Sequence, residues 1–444
     1  MINMAGEESS VPVVAVTAAV GAVVLLLVFL CSVSKKTQDD KEEPVVVKKK
    51  SKETADKTNA SKKPKLSLKQ KKSGNSLFTH PWVASALKAH GASILDMDFS
   101  QNGKYLITVA EDRSAMIWSV KDFTRKEHRF IRANIEYDHA TRVMFSPDTK
   151  AFIVVLANEN ILRIYRIGKK DDGSPGNITA AFDFPKLHSA DVIHIGVASN
   201  GRFIMICYSN TIIHVTTIKG EILATLDTHQ VNNTFAAVSF CGRFIGSVGF
   251  TPDVKVWEVC YDKNRLFKEV SRAFELKGHM AGVRCFSFNY DSSRMASVSK
   301  DGTWKFWDTD VQYQLQQEPY LLFTGKFHSD PTYIALSPDG RTVAMSHSNT
   351  IALWNTVSKK CDQVMENVHY DPVVGLSFSS SSKYLVSLGD KHAIIFHNVT
   401  GYKATIEDLE SRKQKASSNT AAERIQLQID ETKAALDEIN LSKE

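Results

Sequence analysis

An all-β propeller of seven four-stranded blades is the fold this chain predicts, preceded by an N-terminal transmembrane helix and followed by a short C-terminal helix. Three observations carry the prediction. Segments 89–119 and 278–308 repeat one order of residue types at one set of offsets. Seven strand-like runs place Trp118, Tyr165, Thr216, Trp257, Trp307, Trp354 and Phe396 in one frame, at separations of 47, 51, 41, 50, 47 and 42 residues. Turn strings such as FSPD (145–148), LSPDG (336–340), SQNG (100–103) and NYDS (289–292) fall between the same pair of runs in different units. An internal period of this length signals blades stacked around an axis.

The first element, residues 1–34, contains Val11 to Val33 without a charge. A helix of that length spans roughly 35 Å, enough for a hydrocarbon core of about 30 Å. The run exceeds a signal-peptide core and lacks a basic residue before it, so it is expected to be an anchor. Glu7 and Glu8 precede it, and Lys35 and Lys36 follow. Positive residues stay cytosolic, so the chain after Ser34 is expected in the cytosol. Reduced Cys207, Cys241, Cys260, Cys285 and Cys361 fit that compartment. None of the six cysteines has the paired spacing of a zinc site or disulfide framework, and no cofactor is expected.

The second element, residues 35–76, holds 14 Lys and 6 acidic residues and no aromatic side chain. Such a segment buries too little to offset its ordering entropy, so a disordered tether is expected. Its root-mean-square reach is roughly 36 Å. Lys48, Lys49, Lys50, Lys62, Lys63, Lys71 and Lys72 are candidate contacts to lipid or RNA phosphate. The alternative is a solvated, self-repelling spacer, because acidic residues are interspersed.

The third element, residues 77–401, is the repeat body. In GHMAGVRCFSFNYDSSRMASVSKDGTWKFWD (278–308), His279, Ser297 and Asp301 lie 28, 10 and 6 residues before Trp307. His90, Thr108 and Asp112 stand at the same offsets before Trp118. The units read as WD40 repeats. One buried relay is expected in each: Asp accepts from His, His bonds the hydroxyl, and the hydroxyl accepts from the indole N–H. A Ser, His and Asp together could suggest a hydrolase, but catalytic sets do not recur from unit to unit. Blade 7 offers a partial set, His369, Ser387 and Asp390, one residue shorter and ending at Phe396. Blade 3 has Asn210 and Thr216 at the Asp and Trp positions, and blade 6 has Ala344 and Ser348 at the Ser and Asp positions. Blade 4 reads as carrying an insertion, Gly249 to Asp253. Ring closure needs a strand for the last blade. VASALKAH (83–90) is preferred and Tyr402 to Ile406 competes.

The fourth element, residues 402–444, contains a helix over 419–441, with Thr420 and Glu423 at capping-box spacing. Ile425, Ile429, Thr432, Leu436 and Ile439 form a seam on one face. It packs on the propeller, makes a coiled-coil contact with a partner or itself, or frays.

The tether carries the basic balance. Against the chain's net +6, the body is about +2, so bulk charge does not argue for a nucleic-acid-binding body. P-loop, G-x-S-x-G and HExxH strings are missing, which argues against an enzyme. The endings Trp307-Asp308-Thr309-Asp310 and Trp118-Ser119-Val120-Lys121 do not fit a ubiquitin-ligase receptor. An interaction scaffold remains, with Lys169–Asn177, Thr251–Asp253 and Gln312–Pro319 as candidate contact loops. An RNA or ribosome tether is the alternative.

FTPDVKVWEVC (250–260), AFELKGH (273–279), RMASVSKDGTWKFWDTDVQY (294–313) and PYLL (319–322) resemble the transducin beta-like protein 2 family. The resemblance covers about 77–444. It implies a single-pass endoplasmic-reticulum membrane protein with a cytosol-facing propeller. It also implies a link to the ER-stress kinase PERK and to translation in the unfolded protein response, with RNA binding by the propeller region.

Overall fold

The strand runs AFIVVL (151–156) and FIGSVG (244–249) show no polar alternation, and the sheets bury them on both faces. In the computed structural model, which describes residues 78–171, 173–327, 331–416 and 418–441, they are second strands of blades. Seven four-stranded antiparallel sheets form the body. In blade 1 the order is Ile94–Phe99, Tyr105–Ala110, Ser114–Ser119, Phe130–Asn134. First strands of neighbouring blades pack against one another around the whole ring, including blade 7 against blade 1, so they line the axis. The apolar core lies between blades. One cluster joins Ile107, Val109 and Ile117 of blade 1 to Val143, Phe152 and Val154 of blade 2.

The turn between first and second strands is built alike in all seven blades. The N–H of its fourth residue bonds the carbonyl three residues back, as Gly340 does to Ser337 and Thr149 to Ser146, both at 2.8–2.9 Å. That fourth residue has φ near +60 to +70° in every blade: Gly103, Thr149, Gly201, Gly242, Ser292, Gly340 and Ser382. The left-handed region explains why glycine takes four of these positions.

Val83–Lys88 closes the ring. It pairs antiparallel with His392–His397, Leu87 opposite Ala393, and becomes the outer strand of blade 7. The competing segment, Tyr402 to Ile406, is helical. It belongs to α1 (Val399–Gln414), which begins at Asn398, whose side chain accepts from Gly401 N–H. The sequence reading placed no helix there. α1 docks on blade 6 through Arg341 to Asp408 at 2.7 Å, Asn355 to Glu407 at 2.9 Å, and Lys403 to Asp362 at 2.9 Å. Lys403 also sits over the Trp82 ring, at the entry to the closing strand.

α2 (Asn419–Leu441) packs back along α1, with Lys433 bonded to Glu410 and Lys413 to Gln426. Ile429 and Ile439 are buried, and Ile425, Thr432 and Leu436 are half-buried. Of the three alternatives offered for this helix, the seam lies within the chain, against α1, and nothing in the structure supports a coiled-coil contact with a partner. Among the described residues no helix is long and apolar enough to cross a membrane. Residues 11–33 and the tether lysines lie outside the described residues.

Candidate functional site

Each complete polar relay starts on the loop that enters a blade. His279 lies four residues before the first strand of blade 5, and Ser297, Asp301 and Trp307 lie on or between its second and third strands. His279 Nδ1 is 3.1 Å from Asp301 Oδ2, and Nε2 is 2.9 Å from Ser297 Oγ. The Trp307 indole N–H donates to the same Oγ at 2.9 Å. In blade 1 the distances are 3.3 Å for His90 to Asp112, 2.8 Å for His90 to Thr108, and 2.9 Å for Trp118 to Thr108. In blade 7, His369 Nε2 reaches Ser387 Oγ at 2.8 Å, Nδ1 stands 3.6 Å from Asp390, and Phe396 supplies no donor.

Two further members were missed from the sequence. Ser114 and Thr303 follow the Asp by two residues, and their hydroxyls donate to it at 2.5 and 2.6 Å. The signal was available: both relays have Ser or Thr four residues before the Trp. The Asp also accepts from the main chain of the loop, from Gly91 N–H in blade 1 and Met280 N–H in blade 5, both at 2.8 Å. The relay thus ties the entering loop to the turn between second and third strands.

Burial lowers the pKa of His279 and of His90, and the facing carboxylates only partly oppose this. Burial works against ionised Asp301, but the Thr303 hydroxyl, the Met280 and Thr303 N–H groups and His279 outweigh it, so the carboxyl is held below its usual range. Neutral His then donates from Nδ1 to Asp and accepts at Nε2 from the hydroxyl. Chemically this arrangement is inert. Ser297 and Thr108 are 0% exposed, and the indole N–H occupies the oxygen that would have to attack a substrate.

The remaining blades substitute other bonds. In blade 2, Tyr165 stacks on Phe152, and Asp138 accepts from both nitrogens of Asn158 at 2.8 Å. In blade 3, His188 occupies the His position unrecognised, packs on the Tyr208 ring and approaches Asn210 at 3.5 Å. Blade 4 corrects the sequence reading: Phe250 to Pro252 is a three-residue turn, as long as Lys300 to Gly302 in blade 5, so nothing is inserted. There Gln230 replaces His, and its Oε1 accepts from Ser247 at 2.7 Å. In blade 6 the Trp354 indole N–H is buried with no partner among the described residues, as Ala344 implies, and the ring packs edge-on against Trp304.

Surface chemistry is carried by the loops. The candidate loop Thr251–Asp253 joins second to third strands, the end that also carries the loops between blades. Lys169–Asn177 and Gln312–Pro319 join third to fourth strands at the opposite end. One contiguous site therefore cannot use all three. Near the axis, Asp96 and Asp98 on the first strand of blade 1 accept from Val143 and Phe145 N–H of blade 2 at 2.8 and 2.7 Å. Enclosure by the ring pushes Asp98 up to about 7, against the Phe145 bond and with the help of Asp96.

The WD domain, G-beta repeat family matches residues 82–119 and 271–308, the two stretches that hold the complete relays. Transducin beta-like protein 2 of Mus musculus is 48% identical over 397 residues, 88% of this chain and 90% of that protein. The Homo sapiens protein of the same name is 48% identical over 394 residues, 87% of this chain and 88% of that protein. Transducin beta-like protein 3 of Mus musculus is 26% identical over 130 residues, 29% of this chain and 15% of that protein.

Proposed function

The chain belongs to the transducin beta-like protein 2 family, and from that premise we propose a non-enzymatic WD40 interaction scaffold tethered to the endoplasmic-reticulum membrane. The observation that carries the reading is a closed ring whose Ser-His-Asp sets are sealed inside blades, leaving loops as its chemical surface. A rigid ring with loop-lined ends is suited to holding partners rather than transforming them. Residues 11–33 supply the anchor and Lys35 onward the cytosolic orientation. PERK is the proposed partner, in translational control during the unfolded protein response, and family resemblance supports it. The test is binding of the purified full chain to the cytosolic kinase domain of PERK. Saturable binding that survives removal of residues 35–76 supports the scaffold; no binding contradicts this partner.

A second reading rests on the 14 Lys of the tether: an RNA or ribosome tether at the same membrane. Phosphate contacts made by lysines weaken steeply with salt. RNA affinity that falls between about 50 and 200 mM salt, and is lost on deleting 35–76, supports it. RNA affinity unchanged by either contradicts it.

A further inference from the structure

Isolated apolar side chains at a protein surface need no explanation, but a cluster built on rigid backbone does. Val231, Phe250 and Met280 are 65%, 66% and 89% exposed. They come from three separate loops, all at the end of the ring that carries the loops between blades. Main-chain bonds stitch those loops together at the seam of blades 4 and 5. Phe250 N–H bonds Gln230 O, Val283 N–H bonds Thr251 O, and Lys300 N–H bonds Gly282 O, at 3.1–3.3 Å. A Cβ on Gly282 would meet Phe250 O at 2.8 Å, so the loops touch.

The rim is preorganised. Gln230 turns inward to Ser247, and its neighbours His229 and Val231 take φ of 51° and 68°. A β-branched residue in the left-handed region is strained. Burying Gln230 thus holds the Val231 side chain outward, largely exposed.

Two lysines border the Phe250 side of this rim. Lys300 Nζ lies 5.4 Å above the Phe250 ring, and exposed Lys326 stands opposite Thr303 beside the same turn. Among the described residues neither lysine pairs with a carboxylate. The carboxylates close by are occupied: Asp301 by the relay and Asp253 by Lys255 at 4.0 Å.

We propose that Val231, Phe250, Met280 and Lys300 form a docking platform for a partner-protein peptide that carries apolar side chains flanked by carboxylates. The proposal deepens the scaffold reading and rests on it. Apolar anchors fill the rigid rim, and the flanking acids meet Lys300 and Lys326.

The experiment selects binders to the purified full chain in detergent from a displayed random dodecapeptide library. Expected are sequences that combine Leu, Phe or Trp with Asp or Glu. Phe250→Ser with Met280→Ser weakens the synthesised peptides at least about tenfold, the loss typical of truncated anchors. Lys300→Glu weakens them too, and a peptide with its acids changed to Lys recovers affinity for that variant. All variants keep the thermal midpoint, since the altered side chains are exposed. Peptides unaffected by these substitutions overturn the platform while leaving the scaffold intact. Absence of any enriched peptide overturns the platform, and the PERK binding assay judges the scaffold separately. A concentration-dependent dimer in sedimentation, lost in the Phe250/Met280 variant, overturns the peptide and makes a second copy the occupant.

Discussion

Trp307 and Ser297, ten residues apart in the chain, are joined by an indole N–H to Oγ bond of 2.9 Å, and Trp118 and Thr108 repeat it at the same separation and length. Trp354 sits at the equivalent place in blade 6 with Ala344 ten residues before it, and its indole N–H has no partner among the described residues. Trp307→Phe removes volume and a bond, whereas Trp354→Phe removes volume alone. Trp307→Phe is expected to cost about 1 kcal/mol more. Urea unfolding of both variants checks this, and equal losses contradict it.

Asp301→Ala strands four donors at once: His279 Nδ1, Met280 N–H, Thr303 N–H and the Thr303 hydroxyl. Buried unsatisfied groups cost about 1–3 kcal/mol. The thermal midpoint of the purified chain should fall, and an unchanged midpoint contradicts the relay. In blade 7, Asp390→Ala should cost less, because His369 Nδ1 already stands 3.6 Å away.

Two groups give pH dependences of opposite sign. His279 is more acidic folded than unfolded, so its contribution is full above about 6.5 and is lost as pH falls below that value. Asp98 titrates at about 7 in the fold, above its unfolded value. Its contribution is full below about 3.9 and is lost as pH rises toward and through 7. Asp98→Asn keeps an acceptor for Phe145 N–H but cannot ionise. Urea midpoints from pH 4.5 to 8 should show the natural chain losing ground to this variant as pH rises. Parallel profiles contradict the account.

Leu87 is 1% exposed on the strand that closes the ring. Leu87→Ala should cost about 2–5 kcal/mol, as buried Leu truncations do. Because the strand joins the first described residues to the last blade, the loss should appear in the whole cooperative transition. A separate early transition confined to blade 7 contradicts that expectation.

What could be read from the sequence was whatever depends on fixed spacing. Offsets of 28, 10 and 6 before Trp118 and Trp307 located the two complete relays, and alternating runs located all seven blades. The strand around Val83 was legible because a ring must be closed. In blade 4 Gln230 does the work of His from a position one residue later, so the offset fails while the bond survives. α1 escaped because its sequence, VTGYKATIEDLESRKQ, carries Gly and β-branched residues and no regular apolar stripe. Its position is fixed by tertiary bonds, above all Arg341 to Asp408 across 67 residues, and no local signal reports these. The platform was invisible for the same reason, since Val231, Phe250 and Met280 meet only through folding. Of the three loops singled out from sequence, Thr251–Asp253 alone borders it.

The scaffold's presentation to the cytosol is tested most directly by protease protection of the full chain in sealed microsomes, with an epitope after Glu444 and a glycosidase control. The account predicts that the propeller is digested without detergent and that Asn177, an exposed sequon, carries no glycan. Protection of the propeller with a glycan at Asn177 would contradict it, because the loop platform and the tether lysines would then face the lumen.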